Sequence, residues 1–478
     1  MISDAQFNAW LKDDNRERVV LVEAKYYDTV EKTRYLSSHG FVSGPSDTPA
    51  NQVYDDIIDR VPALTSDIDL LFGVGSFFIT NDGSLDSWVD DAWSGRDFIV
   101  YLGDATWSRD DFRQIASLVT DSLDIQSNDA LVFSVRNKRD KLNINVQSTH
   151  FDAGDADGKP KPICCGQVFN ITPVLIDKAA HKYQIHDGPI EAITDVRVKG
   201  VTTAFTADLA AGTFTLSAKP TGRVTCDAKG AKPSVYLYKP ADIVQYLVER
   251  EALTTPEIDA ASFSDFNALC PQTVGVYLSS RENLNKVITD LLQSVGGHWL
   301  FDRNGLLKLW RLEAPTASAV AEFDADDVAD DAFTFLKGEL PVARVSLGYQ
   351  KNYTVQSSVD DTVEEDDRVI YADKSSVSTA DNVGIKTAYP LANEPDTDIT
   401  LLALQAESDA EAARRLTLSA VHRKFFKAVF YTGPFQINLG DEIKVSYPRF
   451  GFENGQYAIV TGLEEMLTDN TIEVSFWL

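Results

Sequence analysis

The 478-residue chain has little cysteine, methionine, histidine or positive charge. Four cysteines are too few to build a disulfide scaffold in a chain of this length. Their spacing (Cys164-Cys165, then Cys226 and Cys270) lacks the close pairs of a zinc ribbon or an iron–sulfur site, so small buried thiols are expected. The six histidines stand singly. His181 and His186 are five residues apart, which fits one face of neither a helix nor a strand. Lys and Arg total 44 against 72 Asp and Glu, a net charge of −28. Such a surface repels phosphate backbones and anionic lipid, which excludes tight non-specific binding to either. No apolar run is long enough to span a bilayer, and the first 20 residues have neither a basic nor an apolar signal-peptide stretch. A soluble chain made in a reducing cytosol is the expectation.

Catalytic signatures are also missing: no GxGxxG after a strand, no phosphate loop ending in GK[ST], no HExxH and no GxSxG. Gly40-Phe-Val-Ser-Gly44 puts a serine near two glycines, but with the wrong spacing and no helix directly behind it. Asp155-x-Asp157-Gly158 resembles part of a calcium loop. Counted from Asp152, however, the last loop position holds Ile163 where a bidentate Glu is needed, so a turn is expected. The run Arg136-Asn137-Lys138-Arg139-Asp140-Lys141 reads as a solvated hairpin tip, with contact to an acidic neighbouring subunit as the alternative. A glycosidase pair could hide among the carboxylates, because it is defined by separation in space. No catalytic residue, cofactor or metal ligand is assigned.

Hydrophobic residues make up 44% of the chain and charged residues 24%, enough to bury a core along the whole length in about three domains. Ser3-x-x-Gln6 has capping-box spacing ahead of a helix with Phe7, Trp10 and Leu11 on one face. Strands are expected over Val19–Tyr27, Thr33–Phe41 and Phe98–Leu102. A second helix is expected from Ser108-x-x-Asp111, with Phe112, Ile115 and Val119 as its stripe. A hairpin then pairs Leu131, Phe133 and Val135 with Leu142, Ile144 and Val146. The aperiodic stretch Asp152–Pro162 suggests a domain boundary.

Short strands fill Gly166–Tyr238, and a helix follows from Ala241 to about Leu253. Val274–Leu312 is the clearest unit. It holds a strand at Val276–Leu278 and a capping box at Ser279-x-x-Glu282. A helical stripe of Leu284, Val287, Ile288, Leu291, Leu292 and Val295 ends at Gly296-Gly297, and a hairpin turns at Asn304-Gly305. After the acidic run Asp324–Asp331, a strand is expected over Val342–Val355. A surface loop or partly ordered insertion is expected over 357–398, and a helix from Ser408-x-x-Glu411 through Val421. Four strands close the chain: Phe425–Tyr431, Glu442–Tyr447, Gln456–Gly462 and Thr471–Leu478.

Several of these stretches resemble the hub protein of long-tailed bacteriophage tail tips. They are Gly166-Gln-Val-Phe-Asn-Ile-Thr-Pro-Val-Leu-Ile-Asp177 with Tyr183-Gln-Ile-His-Asp-Gly188, and Val342-Ala-Arg-Val-Ser-Leu-Gly-Tyr-Gln-Lys-Asn-Tyr-Thr-Val-Gln356. Near the end stand Leu439-Gly-Asp-Glu-Ile443, Pro448-Arg-Phe-Gly451, Asn454-Gly455 and Val460-Thr-Gly462. The likeness covers nearly the whole chain, and its motifs are turn and strand signatures.

The resemblance implies a mainly β, multi-domain chain with α+β elements. Tube-like β domains at 1–162 and 319–478 would flank a central region at 163–318, divided into a β part (163–240) and a small α/β module (241–318). It implies a homotrimer in the virion tail tip, assembled in the host cytoplasm, joining a sixfold tube to a threefold tip. The partners would be a distal tail or tube protein, a tape-measure protein and central fibre or tip proteins, with DNA passing through. The chain stops at Leu478 with no appended wall-degrading or receptor-binding module, so such activities are expected on other chains. Ile443, Val445, Ile472, Val474 and Phe476 are the candidate subunit-interface strand residues. Two alternatives are weighed: a hexameric distal tail protein, and a cell-wall-degrading tail enzyme.

Overall fold

A computed structural model describes residues 2–13, 16–67, 73–431, 435–468 and 471–478. The chain is mainly β, with six sheets and a few helices. Helix α1 (Asp4–Leu11) begins as expected. Ser3 Oγ accepts the Gln6 amide (3.3 Å), and Gln6 Oε1 accepts the Ser3 amide (2.9 Å), satisfying two donors at the helix start. Its Phe7, Trp10 and Leu11 are buried.

The first sheet contains β1 (Arg18–Tyr27), β2 (Glu31–Ser37), β3 (Val53–Asp56) and β4 (Ile58–Arg60). After β5 (Leu64–Asp67) and β6 (Gly73–Val74), which lie outside it, it continues with β7 (Ser76–Thr80), β8 (Asp97–Asp104), β9 (Arg113–Ser127) and β10 (Ala130–Arg136). The order is β3-β2-β1-β8-β9-β10-β7-β4, with the short strand Phe41–Val42 added outside β3. Only Ile57 separates β3 from β4, so one bent segment pairs with β2 towards one end of the sheet and with β7 at the other. The Ile57 amide donates to the Ser37 carbonyl (3.2 Å), and its carbonyl accepts the Thr80 amide (2.8 Å). The sheet therefore closes into a barrel around Val20, Val22, Phe77, Ile79, Phe98 and Phe133.

Two expectations fail here. The segment after Ser108 is the strand β9, and Ser108 caps only a 3-10 turn at Arg109–Asp111. Residues Ile115 to Thr120 are buried on both faces, and a two-sided apolar run imitates a helical stripe. The hairpin also pairs differently: β10 lies between β9 and β7, while Lys138–Leu142 is a 3-10 turn. Leu142 and Val146 pack into the central core.

The basic run is engaged within the chain. Arg136 pairs with Asp121 and Asp140, Lys141 with Glu257 (2.6 Å), and Arg139 lies over the Trp299 ring. Asp155 forms a turn contact, accepting the Lys178 amide at 2.6 Å.

The central region is organised on strands Ile163–Ile171, Ile190–Val198 and Val224–Ala231. Gly166 stands at φ +68°, and a Cβ there would lie 1.8 Å from the Val274 carbonyl oxygen, so the crossing of two backbones needs glycine. Helix α2 (Pro240–Glu251) and helix α3 (Leu284–Gln293) pack with the hairpin Gly297–Phe301/Leu307–Arg311. The five stripe residues of α3 and Val295 just past its end are all buried. Its cap is Asn283, whose side chain accepts the Asn285 amide (3.0 Å), in place of the expected Ser279 box. The Glu282 carbonyl instead takes the Val146 amide (2.8 Å).

The third region holds β11 (Ala321–Phe323), β12 (Val328–Glu339), β13 (Arg423–Phe430), β14 (Glu442–Val445), β15 (Gln456–Glu465) and β16 (Ile472–Trp477). Their order is β11-β14-β15-β16-β13-β12. The closing device recurs. Segment β11 pairs parallel with β14 at one end, and β12 pairs antiparallel with β13 at the other. The Asp327 carbonyl takes the Tyr431 amide (2.9 Å), and Phe323 stacks on Phe430 (4.1 Å between centroids) across the seam.

β12 was not anticipated, because its start is hidden in the acidic run. The strand expected over Val342–Val355 is only Arg344–Tyr349, stopped by Gln350 at φ +51°. The presumed loop 357–398 contains helix α4 (Glu365–Ala372) and strand Ser376–Asp381, and the acidic quartet forms the start of α4. Helix α5 (Gln405–Ser419) starts before Ser408, so Ser408 and Glu411 are interior and buried. Glu411 accepts from Arg414 (2.8 Å) and Arg415 (2.7 Å), a role with the same spacing as a capping box.

All four cysteines are free and buried. His186 is also buried: its Nδ1 accepts the Cys164 amide (3.1 Å), and burial, aided by Arg250, pushes its pKa down to about 4. The native ring thus resists a proton that the unfolded chain accepts near 6.5. Stability should fall as pH drops from about 6.5 towards about 4, by at most about 3 kcal/mol from this residue. His186→Gln should flatten that slope in thermal melts at pH 7 and pH 4.5. Leu291→Ala should cost on the order of 2–5 kcal/mol in denaturant unfolding, since Leu291 is fully buried in the α3 stripe.

Candidate assembly interface

The five residues expected at an interface belong to the chain's own core. Ile443, Val445, Ile472, Val474 and Phe476 are all fully buried. β14 lies between β11 and β15, and β16 between β13 and β15, so neither strand has a free edge to offer. Two long open edges with exposed apolar side chains lie elsewhere, one on each barrel.

The first is the outer half of β9. This strand pairs with β8 from Arg113 to Val119 and with β10 from Val119 onward. From Asp121 to Ser127 it keeps only β10. Ile125 there is 66% exposed. The second is the outer half of β12, which from Thr334 onward pairs only with β13. Phe335 and Leu336 are each 48% exposed, and Leu340 just beyond is 45% exposed. Among the described residues no backbone hydrogen bond reaches the outer edge of either stretch. Such edges are templates for another strand.

Charge separates the two edges. The hairpin Asp121–Arg136 carries Asp121, Asp124 and Asp129 against Arg136 alone. The β12 edge with its β13 partners carries Lys337, Arg423, Lys424 and Lys427 against Glu339, with Lys337 paired to Glu339 (2.7 Å) and Lys427 to Glu473 of β16 (2.8 Å). A locally basic edge on a chain of net charge −28 is a departure from its surroundings.

Inside the chain the barrels are already joined by strand pairing. β5 runs antiparallel to the end of β15, with Leu64 opposite Glu465 and Asp67 opposite Gly462. Arg303, on the Asn304-Gly305 hairpin, locks this junction. Its carbonyl takes the Ser117 amide of β9 (2.6 Å), while its guanidinium donates to Glu465 (2.6 Å) and to the Phe435 carbonyl (3.2 Å). The cleft beside it, about 520 Å³, is lined by Phe7, Arg113, Gln114, Asp302 and Gln436 among others. Asp302 is its one carboxylate among the described residues, and Lys308 holds it at 3.3 Å. The carboxylate pair that glycoside hydrolysis needs is thus not assembled in this cleft. Among the described residues no group of three or more His, Cys, Asp or Glu side chains is placed to hold a metal ion, and no helix is long and apolar enough to cross a membrane.

No family model matches the chain, and no curated protein matches it. Solved structures with a related course of chain include a tail protein from Neisseria meningitidis MC58, at 9% identity and a TM-score of 0.44, with 97% of each chain covered. A 43 kDa tail protein of prophage MuSo2 from Shewanella oneidensis aligns at 9% identity and a TM-score of 0.41, over 96% of this chain and 98% of that one. A prophage tail protein from Listeria monocytogenes EGD-e aligns at 8% identity and 0.43, over 96% and 94%.

Sequence alone missed both edges. The available signal was β-patterned apolar residues set among charges, Leu123 and Ile125 beside Asp121 and Asp124, and Phe333 and Phe335 beside Lys337. Arg303→Ala should leave buried Glu465 without its cation and cost on the order of 3–5 kcal/mol. Chemical denaturation checks this, and a loss under about 1 kcal/mol would show that the junction does not depend on the pair.

Proposed function

We propose that the chain is the hub of a phage tail tip or baseplate, a homotrimeric ring that joins a sixfold tube to threefold tip components and lines the DNA exit channel. In this reading, residues 1–162 and 319–478 are the tube-like domains, and 163–318 is the central region between them. The observation that carries it is the doubled barrel: one chain closes two sheets with the same bent-segment device, so three chains supply six barrels around an axis. The strand and turn motifs that resemble tail hubs, at 166–188, 342–356 and 439–462, support it from a separate direction.

Net charge supports it too. Three copies triple the −28 of one, and an anionic lining does not grip a duplex, so DNA could slide past. The partners in this role are a distal tail or tube protein above, a tape-measure protein within, and central fibre or tip proteins below. The chain acts by fitting and carries out no reaction.

Imaging of assembled tail tips, with the copy number counted by mass, is the test. Three copies at the tip are expected. Six copies would make the chain a distal tail protein instead, and absence from tail tips would end the reading. Turnover of cell-wall material by the isolated chain, lost on changing one carboxylate, would move it to the enzymes.

A further inference from the structure

We propose that the ring is keyed by charge: the acidic outer edge of β9 in one copy pairs with the basic outer edge of β12 in the next. This deepens the hub reading and rests on it, because it names the partner of each open edge as a second copy of this chain.

Three observations lead to it. Both edges offer unpaired backbone over similar lengths, Asp121–Ser127 and Thr334–Leu340, with exposed apolar side chains that water would leave on association. Their charges are opposite, so a β9–β12 contact brings Asp124 towards Lys337, which would exchange its present partner Glu339 (2.7 Å) for the neighbouring copy's carboxylate. A β9–β9 contact would oppose Asp to Asp, and a β12–β12 contact Lys to Lys, which like-charge repulsion disfavours. Finally, the chain already contains one such joint. β5, just after the closing segment of the first barrel, continues the sheet of the second through β15. The paired strands of that joint are β5 and β15, and Arg303 reaches β9 only at Ser117, before its open stretch Asp121–Ser127. Joining unlike edges of successive copies is a heterologous contact, which closes when the rotation per copy divides a full turn.

The test uses the full chain. Its own thiols are buried, so Ile125→Cys and Leu336→Cys report contacts between copies. Mixed under mild oxidation, the two single variants should cross-link to each other, with little product from either alone. Asp124→Lys should weaken self-association about tenfold in sedimentation, as should Lys337→Asp, while the double variant should recover. Cross-links of Ile125→Cys or Leu336→Cys with itself would overturn the pairing, as would failure of the double variant to recover. Either result in a chain that still forms rings leaves the hub reading standing. A chain that stays monomeric overturns the pairing as well, and the hub reading is then judged by whether the chain is found at tail tips.

Discussion

A strand that pairs towards both ends of its own sheet is the constraint on which the rest of this molecule depends. Ile57 hydrogen-bonds to Ser37 on one side and to Thr80 on the other, and the segment from Phe323 to Val328 does the equivalent work in the second barrel. Closure removes the lateral edges of most strands, which is why so many can be apolar on the inner face without inviting aggregation. It also fixes register: a slip of one residue would turn Val20, Val22 and Ala24 out of the first core together.

What closure leaves uncovered then defines the surface available for assembly. Two strands outrun their neighbours: β9 runs past β8, and β12 runs on with only β13 beside it. Their free ends are not equivalent, since one is acidic and the other basic. The junction inside the chain shows that barrel-to-barrel strand pairing is compatible with these sheets, because β5 and β15 achieve it with four residue pairs and a buried Arg303–Glu465 contact. A small α/β module sits beside that joint and sends its hairpin tip into it, so the central core and both barrels meet at Arg303.

Local pattern made some of this legible and left the rest hidden. The α3 stripe and the closing strand β16 could be read directly because their burial follows a regular period, and the Ser3–Gln6 cap because its spacing is specific. β9 was mistaken for a helix because Ile115 to Thr120 is buried on both faces, which removes the alternation that marks a strand. β12 was hidden because its first turns carry the acidic run. Ser408 and Glu411 have capping-box spacing, but the helix already runs from Gln405, so both are interior and Glu411 serves Arg414 and Arg415. The interface fared worst. Ile472, Val474 and Phe476 look like the apolar face of an edge strand, and only the strand order shows that both flanks are filled. An open edge is a property of which strand is missing beside it, and no residue encodes an absence.

Charge then has two separate tasks at two ranges. Between whole copies, −28 against −28 is a repulsion acting over many ångströms, which screening by salt reduces beyond about 8–10 Å. At the edges, Asp124 and Lys337 would act at hydrogen-bonding distance, inside that screening length. Under the proposed pairing, long-range repulsion would hold isolated copies apart, while a short-range match would admit only the unlike pairing once copies are brought together. An excess of one sign over the molecule and a local reversal on one strand are therefore consistent parts of a single arrangement. In the proposed ring, the excess would set when copies meet, and the reversal how they are oriented when they do.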